Sequence, residues 1–169
     1  GFYYVRLGRT NAAIKEYMKA LEMDPKYAEA HNNLGYAYSI VGQAGNAVRS
    51  YQNAIRSDPT YADAYNNIGL ILMNQNKLPE SIQQFKQAIT VKPEYHFAYG
   101  NAAFANFRMG RLDSALTYAS QAIEIQPAFA QAYNIRGLVY FQMRKFEDAL
   151  REYRKAITIN PQFADARYN

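Results

Sequence analysis

Apolar residues recur every three or four positions along most of this chain, as in the stretch YADAYNNIGLIL at residues 61–72. That spacing places them on one face of an α-helix. The helical segments are short, and they are separated by sequences such as GQAG, NQNK and GRLD, in which Gly or Asn permits a tight turn. The pattern therefore predicts an all-α chain of short helices joined by tight turns.

Five prolines lie 34 residues apart, and the residues around them repeat in register. These prolines are Pro25, Pro59, Pro93, Pro127 and Pro161. Each has an alanine five residues before it, and a second small residue seven positions before that alanine. Because a proline pushes the preceding residue out of the α region, it ends the second helix of each unit. The spacing predicts about five repeated pairs of helices.

The register resembles that of the tetratricopeptide repeat (TPR) family, whose 34-residue pattern contains an aromatic residue, Leu-Gly, Tyr, Ala, Phe and Pro. The second unit carries this pattern at His31, Leu34, Gly35, Tyr38, Ala47, Tyr51, Ala54 and Pro59. The resemblance implies a right-handed α-solenoid of antiparallel helix pairs, each with a helix A and a helix B. Stacked pairs bury a continuous core that one pair could not bury alone.

We expect a single array over residues 1–169 with no separate domains. Its units are residues 1–27 (partial), 28–61, 62–95, 96–129 and 130–163, and residues 164–169 begin a further helix A. Both ends fall inside A helices, without the polar capping helix that soluble arrays need. We therefore expect that more repeats flank the segment in a longer protein, or that its uncapped ends pack against neighbours by self-association.

Several residues lead to specific expectations within the units. Gly35 and Gly69 are expected where helices A and B cross, because small residues let two helix axes approach closely. Arg136 occupies the usual leucine position, and we expect its stem to pack while its charged head reaches solvent. His31 is expected in the aromatic packing position, and His96 at the surface, at the start of an A helix.

The fourth unit departs from the pattern. Small or polar residues occur where large or aromatic ones are usual, and we expect shifted or looser packing there. These residues are Ala102, Ala103, Asn106 and Ala119.

Composition narrows the class of protein. Hydrophobic residues make up 49% of the chain and charged residues 20%, as in a soluble folded protein. The absence of cysteine excludes disulfides and thiol catalysis, and it leaves the cellular compartment undetermined. No apolar run approaches the ~18–20 residues that a membrane helix needs, so we expect no membrane insertion. The net charge of +5 is spread along the chain, and the basic group at residues 144–155 is interleaved with acidic residues.

No catalytic motif is present in the sequence. It contains no phosphate-binding loop, dinucleotide fingerprint, HExxH zinc motif, GxSxG nucleophile motif or EF-hand loop. The two histidines, His31 and His96, are 65 residues apart. We therefore expect no enzyme activity, no cofactor and no metal site in this segment.

Helix A of each unit has two opposite sides on a helical wheel of ~100° per residue. When each repeated proline is counted as position 32, positions 4, 7, 8 and 11 carry the packing residues. Positions 2, 5, 6, 9, 12 and 13 lie on the other side, which lines the concave groove in the family that the chain resembles. The candidate binding residues on this side are Asn32, Asn33, Tyr36, Asn66, Asn67, Leu70, Met73, Asn101, Phe104, Phe107, Arg108, Asn134, Leu138 and Phe141.

Asparagines form two neighbouring rows on this side. The row at position 6 is interrupted by Ile135 and continues at Asn169. An asparagine amide offers an acceptor and two donors, so a ladder of them can hold a peptide backbone largely independently of its sequence. The position-6 row also resembles the asparagine ladder in the TPR region of O-linked N-acetylglucosamine transferases. A second interpretation stays open, in which the asparagines bond neighbouring helices and the aromatic residues belong to the core between repeats.

These features favour a non-catalytic protein-interaction scaffold that binds an extended peptide or a partner helix in its concave groove. The alternative is a targeting or regulatory module of a larger enzyme or of a secretion or assembly complex. The Lys and Arg clamp of chaperone-tail TPR domains is absent, because Glu29 and Asp63 occupy position 2. Arg6 and Arg108 are the only arginines expected in the groove, which are too few to define a site for an acidic ligand. Nucleic-acid binding, which needs a basic inner stripe, is disfavoured because the groove carries about as many acidic as basic residues.

Overall fold

The computed structural model describes residues 10–161. Within this range the chain forms nine α-helices and no strand. They are α1 (Thr10–Met23), α2 (Ala28–Ile40), α3 (Ala44–Ser57), α4 (Ala62–Asn74), α5 (Leu78–Val91), α6 (His96–Arg108), α7 (Leu112–Ile125), α8 (Ala130–Gln142) and α9 (Phe146–Ile159). The partial A helices expected at the two ends, with Arg6 and Asn169, lie outside the described residues.

The even-numbered helices are the A helices and the odd-numbered ones are the B helices. Each A helix packs against the B helix that follows it, and each B helix packs against the next A helix. This confirms the predicted solenoid of antiparallel helix pairs. Each of α2, α4 and α6 also contacts the next A helix, whereas the described B helices make no comparable contact with one another. The A layer is therefore the tighter, concave side of the array.

Each described unit from the second to the fifth turns from helix A to helix B through one residue in the left-handed region. In order along the chain, these residues are Gly42, Asn76, Gly110 and Arg144, with φ values of 76°, 61°, 72° and 59°. Glycine and asparagine adopt this conformation readily, as the turn sequences predicted. Arg144 adopts it without that advantage, so its side chain carries a conformational cost in the fifth turn.

The repeated prolines end the B helices as expected. The residue before each proline is extended, with φ between −133° and −141° at Asp58, Lys92 and Gln126. The ring of the following proline excludes the helical conformation at these positions. The chain then turns back and starts the next A helix within four residues.

Glycines mark the close crossings of helices A and B. A Cβ atom built on Gly35 would lie 2.7 Å from the ring of Tyr51, and one on Gly69 would lie 2.5 Å from the ring of Phe85. The ring in each case belongs to the B helix of the same unit. The expectation for Gly35 and Gly69 is therefore confirmed, because no larger residue fits without moving a buried ring.

The fourth unit replaces this glycine and ring by two alanines, Ala103 and Ala119, which are both fully buried. Ile135 of the next A helix packs against both of them and is only 2% exposed. The space left by the missing ring is thus filled from the neighbouring unit. The packing of the fourth unit is therefore shifted, which is one of the two outcomes expected. Ala103, Ala119 and Ile135 together fill the space that the missing ring would occupy.

Candidate interaction groove

The asparagine rows bond to each other across neighbouring A helices. Asn67 Nδ2 donates to Asn32 Oδ1 at 3.1 Å, and Asn101 Nδ2 donates to Asn66 Oδ1 at 2.8 Å. In each pair the position-6 residue is the donor and the position-5 residue of the preceding unit is the acceptor. The two rows therefore form bridges between consecutive units, as the second interpretation expected of the asparagines.

The two rows differ in burial. Asn32, Asn66 and Asn134 at position 5 are 5–9% exposed, so they lie within the interface between A helices. Asn33 and Asn67 are half-buried, as is Asn101. A bridge uses one N–H of the position-6 amide, so its Oδ1 and its second N–H stay available for other bonds. Only the position-6 row can present an amide to the groove.

The bridges also explain why the asparagine rows are interrupted between the fourth and fifth units. Ile135 replaces the position-6 asparagine, and the position-5 residue one unit earlier is Gly100 rather than asparagine. Both partners of that bridge are thus absent together. The ring of Phe129 packs over Gly100, where an added Cβ would lie 2.7 Å from it. An aromatic contact therefore replaces the amide bridge between the fourth and fifth units.

The predicted groove side of the A helices also carries apolar side chains. Tyr36 and Phe141 are 45% and 53% exposed, and Leu70, Phe104, Phe107 and Leu138 are half-buried. The rings of Phe104 and Phe107 are stacked, with centroids 6.5 Å apart. Met73 differs from the rest of the predicted set, because it is 7% exposed and belongs to the core cluster around Phe85. We call the other six residues the apolar row.

Arg108 is bonded to the preceding unit. Its Nη1 donates to the carbonyl oxygen of Met73 at 3.1 Å, and its Nη2 donates to Oδ1 of Asn76 at 2.8 Å. The guanidinium thereby caps the last turn of α4 and supports the left-handed Asn76. Arg108 is exposed, but two of its donors are already used within the protein.

An aromatic residue precedes every described A helix, and sequence reasoning missed this row. Its members are Tyr27, Tyr61, Tyr95 and Phe129, which recur every 34 residues. Tyr95 Oη donates to Asp63 Oδ1 at 2.6 Å, one unit earlier. Burial, and then this bond, raises the pKa of the Tyr95 hydroxyl well above its usual range. The spacing after each proline was the signal that could have revealed the row.

Two carboxylates accompany these tyrosines. Glu29 accepts a hydrogen bond from the hydroxyl of Tyr27 at 3.2 Å. Burial raises the pKa of Tyr61 to about 12, with smaller contributions from the negative charges of Asp63 and Glu29. Both carboxylates are therefore close enough to act on one phenol, and this end of the A layer is negative.

An aromatic cluster occupies the same end of the A layer in the fourth unit. The ring of Phe97 lies 4.1 Å from that of His96 and 5.5 Å from that of Phe129, measured between centroids. His96 is half-buried in this cluster, where burial and then the charge of Lys92 lower the pKa of its imidazole. His96 starts α6 as expected, but aromatic rings cover part of its surface.

Arg136 is held in an ion pair, which corrects the expectation that its head reaches solvent. Its Nε and Nη2 donate to Glu152 Oε2 at 3.0 and 2.7 Å, and its Nη1 donates to Ser120 Oγ at 3.3 Å. Glu152 is only 5% exposed. The buried carboxylate of the facing B helix binds the guanidinium in place of water, because hydrogen bonds between charged groups are stronger than those between neutral groups.

In the part of the chain that the structure describes, no group of acidic residues and histidines is arranged to hold a metal ion. No described helix is both long enough and apolar enough to cross a membrane.

Comparison with known families gives matches along the whole chain. A family model described as "TPR repeat" matches residues 3–39 and 41–76. Models described as "Tetratricopeptide repeat" match residues 62–95, 98–129 and 130–163. No protein with a curated description matches the sequence.

Several solved structures share the fold. The crystal structure of MamA is 27% identical and has a TM-score of 0.80, over 96% of this chain and 95% of MamA. YrrB, described as "a TPR protein with an unusual peptide-binding site", is 23% identical with a TM-score of 0.74, over 98% of this chain and 86% of its own. PilF of Pseudomonas aeruginosa is 24% identical with a TM-score of 0.88, over 98% of this chain and 76% of its own. Identities this low for YrrB and PilF show a shared fold alone.

Proposed function

The chain belongs to the tetratricopeptide repeat family, and from that premise we propose that it is a non-catalytic scaffold that binds a segment of a partner protein in its concave groove. Members of this family are generally interaction modules that bind proteins or peptides. YrrB is described as having a peptide-binding site, which supports looking for a peptide ligand here as well.

The apolar row is the observation that carries the proposal. Tyr36 and Phe141, both on A helices, are 45% and 53% exposed. The aromatic residues at the crossings of helices A and B, Tyr51 and Phe85, are by contrast at most 2% exposed. Tyrosine is among the residue types enriched in binding hot spots, and phenylalanine is enriched in protein interfaces. A partner segment that covers this row gains hydrophobic burial without reorganising the array.

The position-6 asparagines add directional bonds beside the apolar row. The bridges to Asn32 and Asn66 hold the amides of Asn67 and Asn101 in one orientation. A held amide loses less entropy when a ligand bonds to it than a freely rotating one does. We therefore assign binding to the outer asparagines and positioning to the buried ones.

The proposal is tested by selecting peptides from a displayed random library on the immobilised protein. The selected peptides are then added to the ¹⁵N-labelled protein, and the shifts of the backbone and side-chain amide signals are followed. We expect the largest shifts at the apolar row and at the side-chain amides of Asn67 and Asn101. Shifts confined to the B helices would contradict the proposal.

A further inference from the structure

The two ends of the A helices form two edges of the groove. All A helices run in the same direction, so the loops that precede them lie along one edge and the turns that follow them lie along the other. We call the first the loop edge (residues 24–31, 58–65, 92–99 and 126–133) and the second the turn edge (residues 38–43, 72–77, 106–111 and 140–145). An A helix of 13 residues separates the two edges by about 20 Å.

The loop edge is acidic. Five carboxylates and two lysines lie on it, namely Asp24, Glu29, Asp58, Asp63, Glu94, Lys26 and Lys92. The ammonium group of Lys92 already lies over the ring of Tyr95, 5.4 Å from its centroid. Hydrogen bonds from Thr60 lower the pKa of the Asp58 carboxyl. With five carboxylates against two lysines, the loop edge carries an excess of acidic side chains.

The turn edge is basic. It carries Lys77, Arg108, Arg111, Arg144 and Lys145, which are all exposed, and its four segments contain no acidic residue. The acidic residues nearest in sequence lie in the first turns of the B helices, and they are Glu80, Asp113, Glu147 and Asp148. Each ionised side chain carries a full unit charge, which is larger than the half charge that the dipole of an A helix places at its end. The field therefore runs across the groove from one edge to the other.

The spacing of the apolar row favours a helical ligand. Neighbouring helices pack about 8–10 Å apart, so successive A helices present a foothold at about that interval. Residues i and i+7 of an α-helix lie on the same face and ~10.5 Å apart. Same-face residues of a strand are ~6.6 or ~13 Å apart, and both distances differ more from the 8–10 Å interval than the ~10.5 Å of the helix does.

The groove also presents three different surfaces, which are an acidic edge, a floor of apolar side chains and asparagine amides, and a basic edge. The side chains of a strand point in two directions only, whereas those of a helix point in all directions around its axis. A polyproline II segment has three faces, but its prolines supply no charge. With its side chains, an α-helix is about 10–12 Å wide, which leaves both edges within reach of Lys and Glu side chains.

We infer that the groove binds an amphipathic α-helix whose apolar face is flanked by basic residues on one side and by acidic residues on the other. This inference rests on the proposed function and names the class of partner. The basic flank of the partner helix lies along the loop edge and its acidic flank lies along the turn edge. Charge complementarity thereby fixes the direction of the partner helix along the array.

Synthetic helices of about three heptads test the inference. All have the same apolar face and the same hydrocarbon staple on their outer face, which equalises their helicity. One has a Lys flank and a Glu flank, two have uniform Lys or Glu flanks, and a fourth exchanges the two flanks of the first. Affinities are measured by fluorescence anisotropy at physiological ionic strength and at about 1 M salt, where the Debye length is ~3 Å.

We expect the polarised helix to bind about tenfold more tightly than either uniform helix, and the difference to vanish at high salt. Neutralising the loop edge with Glu29→Gln and Asp63→Asn should reduce this preference severalfold, whereas Glu22→Gln with Glu124→Gln, on B helices, should not. A spin label on the N-terminus of the polarised helix should broaden signals at one end of the array. The same label on the exchanged helix should broaden signals at the other end.

Equal or tighter binding of a uniform helix in the groove would overturn the inference and leave the proposed function standing. The inference would also be overturned, with the proposed function still standing, if the polarised helix and the exchanged helix bind in the same direction. If no helix binds, while library peptides still shift the signals of the apolar row, the partner is not a helix. If neither helices nor library peptides bind the groove, the proposed function itself fails.

Discussion

Asn101 Nδ2 donates a hydrogen bond of 2.8 Å to Oδ1 of Asn66, which lies on the neighbouring A helix, one unit earlier. Asn66 is 5% exposed, whereas Asn101 is half-buried. The bond therefore satisfies a polar group inside the interface and fixes the orientation of an amide at its surface. The bridge explains why asparagine occupies two adjacent positions in the middle of a helix despite its low helix propensity.

A double-mutant cycle measures the strength of this bridge. Asn66→Ala and Asn101→Ala should each lower the free energy of unfolding by about 1–2 kcal/mol, because each leaves one partner without its bond. The double variant should lose about 1 kcal/mol less than the sum, as residues in contact do. Urea denaturation of the four proteins provides the values.

Asn33→Ala is the matched control, because the Asn33 side chain is in neither of the two amide bridges between described A helices. It should change stability by less than about 0.5 kcal/mol. Strictly additive effects of Asn66→Ala and Asn101→Ala would show that the two amides do not interact in solution.

The register of the repeats could be predicted from the sequence because each unit obeys strict local rules. The prolines that end the B helices and Gly35 and Gly69 at the helix crossings act within one unit, so their spacing alone revealed them. The interruption at Ile135 could not be predicted in the same way. It depends on a space left by Ala119 in the preceding unit, which only packing between units reveals.

The candidate site was predicted less completely for a similar reason. A helical wheel placed Met73 and Asn66 on the groove side, but it does not show how closely the next A helix approaches. In the structure both residues are buried, Asn66 where Asn101 of that helix bonds to it and Met73 in a core cluster that includes Ala102 and Ala105 of that helix. The partner of Arg136 was also hidden, because Glu152 lies 16 residues away on the facing helix.

Gly69 and Gly45 test the helix crossings, because a buried ring lies against Gly69 whereas no atom lies near the Cβ position of Gly45. Gly69→Ala should lower the free energy of unfolding by about 1–3 kcal/mol, because its Cβ would press on the buried ring of Phe85. Gly45→Ala should instead stabilise the protein by up to about 1 kcal/mol, because Gly45 lies in α3 with no atom near its Cβ position. Thermal unfolding followed by circular dichroism distinguishes the two signs. Stabilisation by Gly69→Ala would mean that the crossing is looser than described.

The ion pair of Arg136 and Glu152 joins helices α8 and α9. Arg136→Met should destabilise the protein by about 3 kcal/mol, because it leaves the buried carboxylate of Glu152 unpaired. Adding Glu152→Leu should restore most of that loss, since an apolar pair of similar volume replaces the ions. The decisive comparison is between the single and double variants in urea. A double variant as unstable as Arg136→Met would show that packing, and not the unpaired charge, causes the loss.

Arg144, the left-handed turn residue of the fifth unit, is a position where glycine should increase stability. Arg144→Gly should raise the free energy of unfolding by about 1 kcal/mol, because glycine adopts a φ of 59° without steric cost. The reverse change, Gly110→Arg, places an arginine at a φ of 72° and should lower stability by a similar amount. Melting temperatures of both variants should therefore move in opposite directions. A shift in the same direction would contradict the role assigned to this position.

The most direct measurement of the central claim compares two variants in their affinity for a library-selected peptide. Tyr36→Ser with Phe141→Ser removes two exposed side chains of the apolar row, and Met18→Ser with Met23→Ser removes two exposed apolar side chains of the B helix α1. Titration calorimetry should show that the groove variant loses about 30-fold or more in affinity, as expected when hot-spot residues are truncated. The α1 variant should bind like the unchanged protein. Equal affinity of both variants, or a larger loss in the α1 variant, would show that the concave groove is not the binding surface.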